Sequence, residues 1–263
     1  MNKTATLPIA IGLLAMCSLA RLAHSAEVGS PQVCAQPVYL TVAPGHMDFA
    51  PQIADILRRQ LVTATFFASN LDTRNGGGSL GEQWGSWWKV IAQQGHEFAS
   101  QTYDHVVWRG DVAGYKPAFR MKPGSGAFAG REFTFDPPKY CEQIGHAADR
   151  IAYYTGKKTL PLFHAPAGKV SSKLLASASA CGYAYVGATG AGHLVGGLSL
   201  RSALADIRAG DVLLVDLETS GSTKPWAVDN LEPLIVGLKE RGLCFESLRK
   251  HPVFKDWIAN HGG

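Results

Sequence analysis

The chain has little of what marks several functional classes. Charged residues make up 17% of its 263 residues, the formal net charge at pH 7 is only +4, and there is no run of Lys or Arg. A nucleic-acid-binding surface needs concentrated basic charge, so nucleic acid is disfavoured as a partner. Beyond the N-terminal region no apolar stretch is long enough for a stable membrane span. The G-x-S-x-G spacing at residues 77–81 lies in a Gly-rich stretch ten residues after the preceding predicted strand and not at a tight strand–helix turn, which argues against a serine nucleophile of that type.

The N-terminal residues have the pattern of a secretory signal peptide. Lys3 supplies a positive charge, residues 7–20 are apolar, and residues 23–26 (AHSA) provide a small-residue cleavage region. A membrane anchor is the alternative, but the apolar run is shorter than the ~20 residues that a spanning helix needs. We therefore expect residues 1–26 to direct export to the periplasm or the medium, and residues 27–263 to form a single domain.

Cysteine is scarce, and four of the five cysteines lie in the predicted mature chain. An even number of cysteines in an exported protein predicts disulfides, for which three connectivities are possible. No two of the four are close in sequence, so a metal site built on cysteine pairs is disfavoured. The four residues are Cys34, Cys141, Cys181 and Cys244.

Apolar strand patterns alternate with helical patterns along the mature chain, which predicts a parallel α/β sheet of about seven strands. The predicted strands are Val38–Val42, Thr63–Phe67, Glu97–Ser100, Leu162–His164, Tyr183–Ala188, Val212–Leu217 and Leu243–Phe245. The predicted helices are Phe49–Gln60, Trp84–Gln94, Pro137–Tyr154, Ser171–Ala180, Leu200–Ile207 and Val228–Arg241.

Two insertions interrupt this alternation. Residues 70–81 are Gly-rich, and residues 106–136 mix aromatic and basic side chains with little periodicity, so both are predicted to be loops. Both follow strands whose C-terminal ends are expected to border a ligand groove. Asp136, followed by two prolines, predicts the N-cap of the next helix. Residues 256–263 are predicted to be a short polar tail.

The first strand–helix–strand unit resembles that of a known family. Residues 38–67 read VYLTVAPGHMDFAPQIADILRRQLVTATFF. This is similar to the opening of the polysaccharide deacetylase family (NodB-homology, carbohydrate esterase family 4-like), whose first motif reads T-F-D-D-G-P. The resemblance extends over residues 37–250 and implies an α/β fold, a deformed (β/α)7–8 barrel. In such a barrel the first and last strands are neighbours, which would pair Cys34 with Cys244 and leave Cys141 for Cys181.

The resemblance also implies a chemistry that this sequence has largely lost. Members of the family hydrolyse acetyl groups on polysaccharides with a divalent cation held by one Asp and two His, assisted by a second Asp as base and a late His as acid. Of the metal-ligand positions, only His105 keeps a side chain suited to a metal ion. The replaced positions are Ala43 (base), Pro44 (metal Asp), Gln101 (first metal His), His164 (the Arg that orients the base) and Asp216 (acid).

This selective replacement favours a catalytically inactive relative that keeps a groove for a polysaccharide or oligosaccharide and needs no cofactor. Aromatic side chains are the usual platforms for sugar rings, and Trp108 and Tyr115 in the second insertion, with Tyr103, are the candidates. Trp84, Trp87 and Trp88 share one helix face, which is more typical of a core.

A metal-dependent hydrolase with a rebuilt site is the alternative. Two or three imidazoles and a carboxylate hold zinc if they converge. The residues that follow predicted strands are His46, His105, His164 and Asp216, with Asp48 and Asp104 nearby. In this case His105 and His46 are the candidate ligands and the cofactor is zinc.

Overall fold

The computed structural model describes Met1, residues 34–218 and residues 224–262. Apart from Met1, the predicted signal peptide lies outside the described residues, so export and the domain boundary near residue 27 stay predictions. Within the described part of the chain, no helix is both long and apolar enough to cross a bilayer.

Strands and helices alternate through the described residues, close to the predicted boundaries. The strands are β1 Pro37–Ala43, β2 Thr65–Ala68, β3 Glu97–Ser100, β4 Val106–Asp111, β5 Phe119–Pro123, β6 Phe133–Phe135, β7 Leu162–Phe163, β8 Ala184–Tyr185, β9 His193–Leu194, β10 Val212–Asp216 and β11 Cys244–Phe245. The α-helices are α1 Ala50–Arg59, α2 Glu82–Gln93, α3 Pro137–Thr155, α4 Ser172–Ala180, α5 Leu200–Asp206, α6 Ala227–Glu240 and α7 Lys255–Asn260. Two single 3₁₀ turns occupy Pro166–Gly168 and Leu248–Lys250.

Eight strands form one parallel sheet in the order β8-β7-β3-β2-β1-β10-β9, with β11 paired to the start of β1. The central strand β1 is buried on both faces, which explains its nearly continuous apolar sequence. Val38, Leu40 and Val42 pack with the apolar sides of α1 and α6, whereas Tyr39 packs in a second cluster with Leu162. The strands curl into a half-barrel with the helices outside, which confirms the predicted deformed barrel.

Both disulfides pair as the barrel arrangement predicted. Cys34 is bonded to Cys244 with their Cα atoms 5.8 Å apart, and the N–H of Cys244 donates to the carbonyl of Gln36 beside β1. Cys141 of α3 is bonded to Cys181 at the end of α4, with Cα atoms 6.2 Å apart. The first disulfide therefore joins the two ends of the barrel sequence.

The prediction that residues 106–136 form a loop was wrong. Strands β4, β5 and β6 make a three-stranded antiparallel sheet in the order β4-β5-β6. Strand β5 alternates the buried Phe119 and Met121 with the exposed Arg120 and Lys122, so its buried side packs on Tyr140 of α3. Strands this short, separated by Gly-rich turns, have a weak periodic signal in sequence.

The C-terminal prediction was also wrong, because residues 255–260 form helix α7 rather than a polar tail. Ile258 is only 2% exposed and packs with Tyr39 and Leu162, and the indole N–H of Trp257 donates to the carbonyl of Pro161. A helix that buries one aliphatic residue has too few apolar positions for its period to be recognised.

Other local predictions were confirmed. Asp136 caps α3 by accepting a hydrogen bond from the N–H of Lys139 at 3.0 Å. The tryptophans of α2 belong to the core: Trp88 is fully buried, and Trp84 and Trp87 are half-buried against the same cluster. The Gly-rich residues 70–81 lie between β2 and α2, with only an isolated bridge between Asp72 and Gly78.

We predict that Ile258→Ala lowers the free energy of unfolding by about 2–5 kcal/mol, because it removes buried methyl groups from a packed cluster. Val253→Ala is the matched control, since Val253 is 72% exposed, and it should change stability by less than about 0.5 kcal/mol. Urea denaturation of both variants measures the difference. Equal, small effects would show that α7 does not pack on the barrel.

Candidate functional site

The replaced family positions lie where the parallel strands end. The register pairs Ala43 of β1 with Asp216 of β10, and Ser100 of β3 with Phe163 of β7. The N–H of His164 then donates to the carbonyl of Ser100 at 2.9 Å. Because C-terminal strand ends meet at one edge of a parallel sheet, residues far apart in sequence become neighbours.

A cavity of about 320 Å³ opens at this edge. Three of the five replaced positions, Gln101, His164 and Asp216, line it together. Tyr185 and His193 complete its polar lining, and Ala167, Gly168, Gly187, Ala188 and Leu214 form the rest. The volume lies at the lower end of the range of small-molecule sites, about 300–1,000 Å³.

The first-motif turn contributes no ligand side chain. Ala43 and Pro44 are buried, and neither side chain has a lone pair or a proton to offer. Gly45 has a left-handed backbone with φ of 59°, and a Cβ there would lie 3.1 Å from both Cγ of Glu218 and the carbonyl oxygen of Leu217. Glycine therefore lets this turn lie directly against Glu218.

Glu218 is the acidic residue that the sequence motifs do not single out. Its Oε2 lies 2.8 Å from Nε2 of His105, and both side chains are only about one-tenth exposed, 12% and 11%. The N–H of Leu217 donates to the carbonyl of Ala43, so the pairing with β1 extends one residue beyond the end of β10. This places Glu218 next to the strand ends. The available signal was the spacing of Asp216 and Glu218, since alternate residues of an extended chain point to the same side.

The two neighbouring carboxyl groups are shifted in opposite directions. Burial by itself raises the pKa of Glu218, but the charge and hydrogen bonding of His105, with His164 and Gln101, bring that pKa below its ordinary value. Burial and the charge of Glu218 raise the pKa of Asp216, against the hydrogen bond that Asp216 Oδ1 accepts from the N–H of Glu218 at 2.8 Å. Glu218 is therefore the more strongly acidic member of the pair.

His164 is held as a neutral ring. Burial lowers the pKa of its imidazole, and its Nδ1 lies 2.7 Å from the carbonyl oxygen of Val186. A carbonyl can only accept, so Nδ1 has the proton and Nε2 is left as an acceptor. A neutral imidazole cannot reproduce the paired donors of the Arg that the family has at this position.

The segment from Gln101 to His105 has an unusual backbone that its neighbours hold in place. Thr102 and His105 both have positive φ, 62° and 51°, which is unfavourable for a β-branched residue such as threonine. The hydroxyl of Thr102 accepts from the N–H of Val106 at 2.7 Å, and the N–H of Gly124 donates to the carbonyl of His105 at 3.1 Å. The β4–β6 sheet therefore helps to hold His105 against Glu218.

The other residues of the proposed rebuilt site are bound elsewhere. His46 Nδ1 lies 2.6 Å from the carbonyl oxygen of Asp72. Asp48 pairs with Arg74 at 3.0 Å, and Asp104 accepts a hydrogen bond from the side chain of Gln143 at 2.9 Å. In the part of the chain that the structure describes, no group of three or more His, Cys, Asp and Glu side chains is arranged to hold a metal ion.

The side chains present do not fit the divalent cation that the family resemblance implies. Ala43 and Pro44 offer no ligand, and the neutral amide of Gln101 is a weak ligand for a transition metal. His105 is the one suitable imidazole at the family's ligand positions, and its Nε2 is in contact with the Glu218 carboxylate. The contact between His105 and Glu218 thus occupies the position where the family resemblance implies a metal ligand.

The three predicted sugar-binding aromatics lie outside the cavity lining. Tyr103 stacks on His146 of α3 with ring centroids 3.6 Å apart, Trp108 is half-buried with its indole N–H donating to Asp111, and Tyr115 is fully exposed. Strand β4, which contains Trp108, packs against the Pro166–Gly168 turn at the cavity rim. Tyr185, which has no recognisable motif in sequence, is the aromatic residue that lines the cavity.

The fold is similar to that of solved structures described as family 4 carbohydrate esterases and related proteins. BA3943 from Bacillus anthracis, described as a CE4 family pseudoenzyme, is 18% identical with a TM-score of 0.57, over 82% of this chain and 65% of that one. Bacillus subtilis PdaA, a family 4 carbohydrate esterase, is 17% identical with a TM-score of 0.58, over 84% and 82%. The Bc1960 peptidoglycan N-acetylglucosamine deacetylase is 22% identical with a TM-score of 0.59, over 82% and 87%. At these identities the likeness shows the fold alone.

No curated protein sequence matches the chain significantly. The sequence profile described as "Polysaccharide deacetylase" matches residues 31–186, which is more than half of the chain. That segment includes β1, the first-motif turn, Gln101, His105 and His164. The chain therefore belongs to the polysaccharide deacetylase family.

Proposed function

We propose that this chain is a catalytically inactive polysaccharide deacetylase relative that binds a polysaccharide or oligosaccharide at the cavity beside β10. The observation that supports this most strongly is the His105–Glu218 contact at 2.8 Å, at the position where the family resemblance implies a metal ligand. The remaining cavity has the size and the mixture of polar and aromatic lining that suit a sugar.

The chemical argument for inactivity is cumulative. A divalent cation lowers the pKa of bound water from its bulk value to about 7, and without it water is a poor nucleophile at neutral pH. Loss of a positioned general base costs a further ~10²–10⁴ in rate, and the base position is Ala43. The acid position, Asp216, has a carboxyl in place of the family's imidazole.

A structural neighbour supports the idea that this fold persists without activity. BA3943 is described as a pseudoenzyme, and one of its mutants is described as having restored enzymatic activity. The two disulfides and the signal-peptide pattern agree with an exported protein, where extracellular glycans are met.

A hydrolase of N- or O-acetylated glycans with a rebuilt zinc site is the alternative. It requires His46, His105, His164 and Asp216 to converge. His164 and Asp216 share the cavity lining, but His46 is bonded to Asp72 and His105 contacts Glu218. Zinc binding at Nε2 of His105 would have to displace the contact with Glu218, whereas His46 would still have Nε2 available.

We predict that protein purified without chelators contains no stoichiometric zinc, because the imidazole of His105 is paired with Glu218. Elemental analysis of the wild type, His105→Ala and the control His261→Ala measures this; His261 is an exposed residue following α7. One equivalent of zinc in the wild type and the control, absent from His105→Ala, would favour the rebuilt hydrolase instead.

We predict that glucosamine oligomers of mixed acetylation bind with a Kd of about 1 mM or tighter, which corresponds to about −4 kcal/mol or better. Trp108→Ala should weaken binding roughly tenfold, or about 1.4 kcal/mol, by removing an aromatic platform near the rim. Tyr115 is exposed between β4 and β5, and Tyr115→Ala tests whether this turn also contributes to the affinity for the oligomer. Tyr153→Ala is the matched control, because Tyr153 is an exposed tyrosine on α3. Calorimetry measures the affinities, and absence of heat from the folded wild type with every oligomer would refute the proposal.

We predict that restoring the family side chains yields deacetylation only when Glu218 is also removed, since its carboxylate otherwise stays on His105. The restored base and metal ligands should together raise acetate release by at least ~10²-fold over the wild type. The measurement is chelator-sensitive acetate release from acetylated glucosamine oligomers by the five-fold variant with and without Glu218→Ala. The five substitutions are Ala43→Asp, Pro44→Asp, Gln101→His, His164→Arg and Asp216→His.

The six-fold variant has these five substitutions and Glu218→Ala. If it folds but binds no zinc and releases no acetate, the alignment of these positions with the family motifs is wrong. If the five-fold variant is already as active as the six-fold variant, Glu218 does not block the metal position.

A further inference from the structure

Several hydrogen-bonding groups in and beside the cavity are acceptors. Within the described residues, Gln101 Oε1, which lines the cavity, and Glu218 Oε1 are buried without a hydrogen-bond partner; His105 Nε2 is also without one, although it lies 2.8 Å from Glu218 Oε2. The Nε2 of His164 is a further acceptor, because Nδ1 donates to the Val186 carbonyl. Buried acceptors without a donor are unfavourable, so a ligand that supplies several donors is favoured.

The site also has more negative charge than its neighbours neutralise. Asp216 lines the cavity, and no Lys, Arg or His nitrogen in the described part of the chain lies within 4.0 Å of its carboxylate. Glu218 is a second carboxylate close enough to raise the pKa of Asp216. His193 and His105 are the imidazoles near Asp216, and His105 contacts Glu218. Desolvated carboxylates favour a cationic partner.

We propose that this cavity binds the free primary ammonium group of an amino sugar, so that the ligand is a de-N-acetylated glycan. This inference rests on the proposed carbohydrate-binding function. An ammonium group has three donors, no acceptor and one positive charge, which matches the acceptors and the unpaired carboxylate of the cavity. An N-acetyl group is neutral, and its carbonyl oxygen would place another acceptor beside Gln101 Oε1 and the Asp216 carboxylate.

The aromatic wall of the cavity suits the same ligand. Tyr185 lies beside His164, with ring centroids 6.0 Å apart and planes inclined by only 18°. A cation within about 6 Å of a tyrosine ring is attracted to the ring face, and more strongly when desolvated. The ring face also offers the apolar surface on which a sugar packs.

Overall charge does not account for such a preference. The whole chain has a formal net charge of +4, so long-range electrostatics repel a cationic glycan. Any preference for the ammonium form must therefore come from local groups such as Asp216.

The test compares three oligomers of equal length by calorimetry, at a pH where the amine is protonated: glucosamine, N-acetylglucosamine and glucose. We expect the glucosamine oligomer to bind at least about tenfold more tightly than the other two, which is about 1.4 kcal/mol. Asp216→Asn should remove most of this preference, because it should weaken binding of the glucosamine oligomer far more than binding of the acetylated oligomer. Asp206→Asn, the same substitution on the exposed face of α5, should leave all three affinities unchanged.

Equal or tighter binding of the acetylated oligomer would overturn the ammonium proposal and leave carbohydrate binding intact. A glucosamine preference that survives in folded Asp216→Asn would also overturn it, because the charge would then be recognised elsewhere. If no oligomer binds the folded wild type, both the ammonium proposal and the proposed function fail.

Discussion

A buried carboxylate that must find a partner is the constraint on which the rest of this site depends. Glu218 lies over the ends of the central strands, where water cannot stabilise its charge, and it contacts His105 at 2.8 Å. The same carboxylate lies against the Gly45 turn, raises the pKa of Asp216 and interacts with Gln101. One residue thus sets the electrostatics that a bound cation sets in metal-dependent relatives.

The fold and the chemistry of this family separate because different residues determine them. Buried strand residues such as Val42 and Phe66 set the register of the sheet, whereas the reactive positions are the last residue of a strand, as at Ala43, or follow it directly, as at Gln101. Replacing Ala43, Pro44 or Gln101 therefore changes the site without disturbing the sheet that holds it. The strained backbone at Thr102 and His105 is still present, and it is held by hydrogen bonds from Val106 and Gly124.

A site of this kind has a different preference in ligands from the metal centre that it replaces. A metal centre is positive and attracts a carbonyl oxygen, whereas two carboxylates beside a neutral imidazole attract a donor and a positive charge. His164 and Asp216 line the cavity and Glu218 lies close to Asp216, which supports the proposal of a ligand with a positive charge and several donors. The proposed inactive relative is therefore described by the ligand that its cavity would favour as well as by the groups that it lacks.

The sequence by itself determined the family, the parallel strands, the α3 cap at Asp136 and both disulfides, because these depend on local periodicity and on the order of motifs. It also placed Gln101, His164 and Asp216 at strand ends, where they do meet. Only the tertiary structure decided that Glu218 pairs with His105, that His46 turns to Asp72, and that residues 106–135 contain a small antiparallel sheet. Those outcomes depend on contacts between residues that are distant in sequence, such as His105 and Glu218, which are 113 positions apart. Local sequence patterns do not show which distant residue a buried side chain contacts.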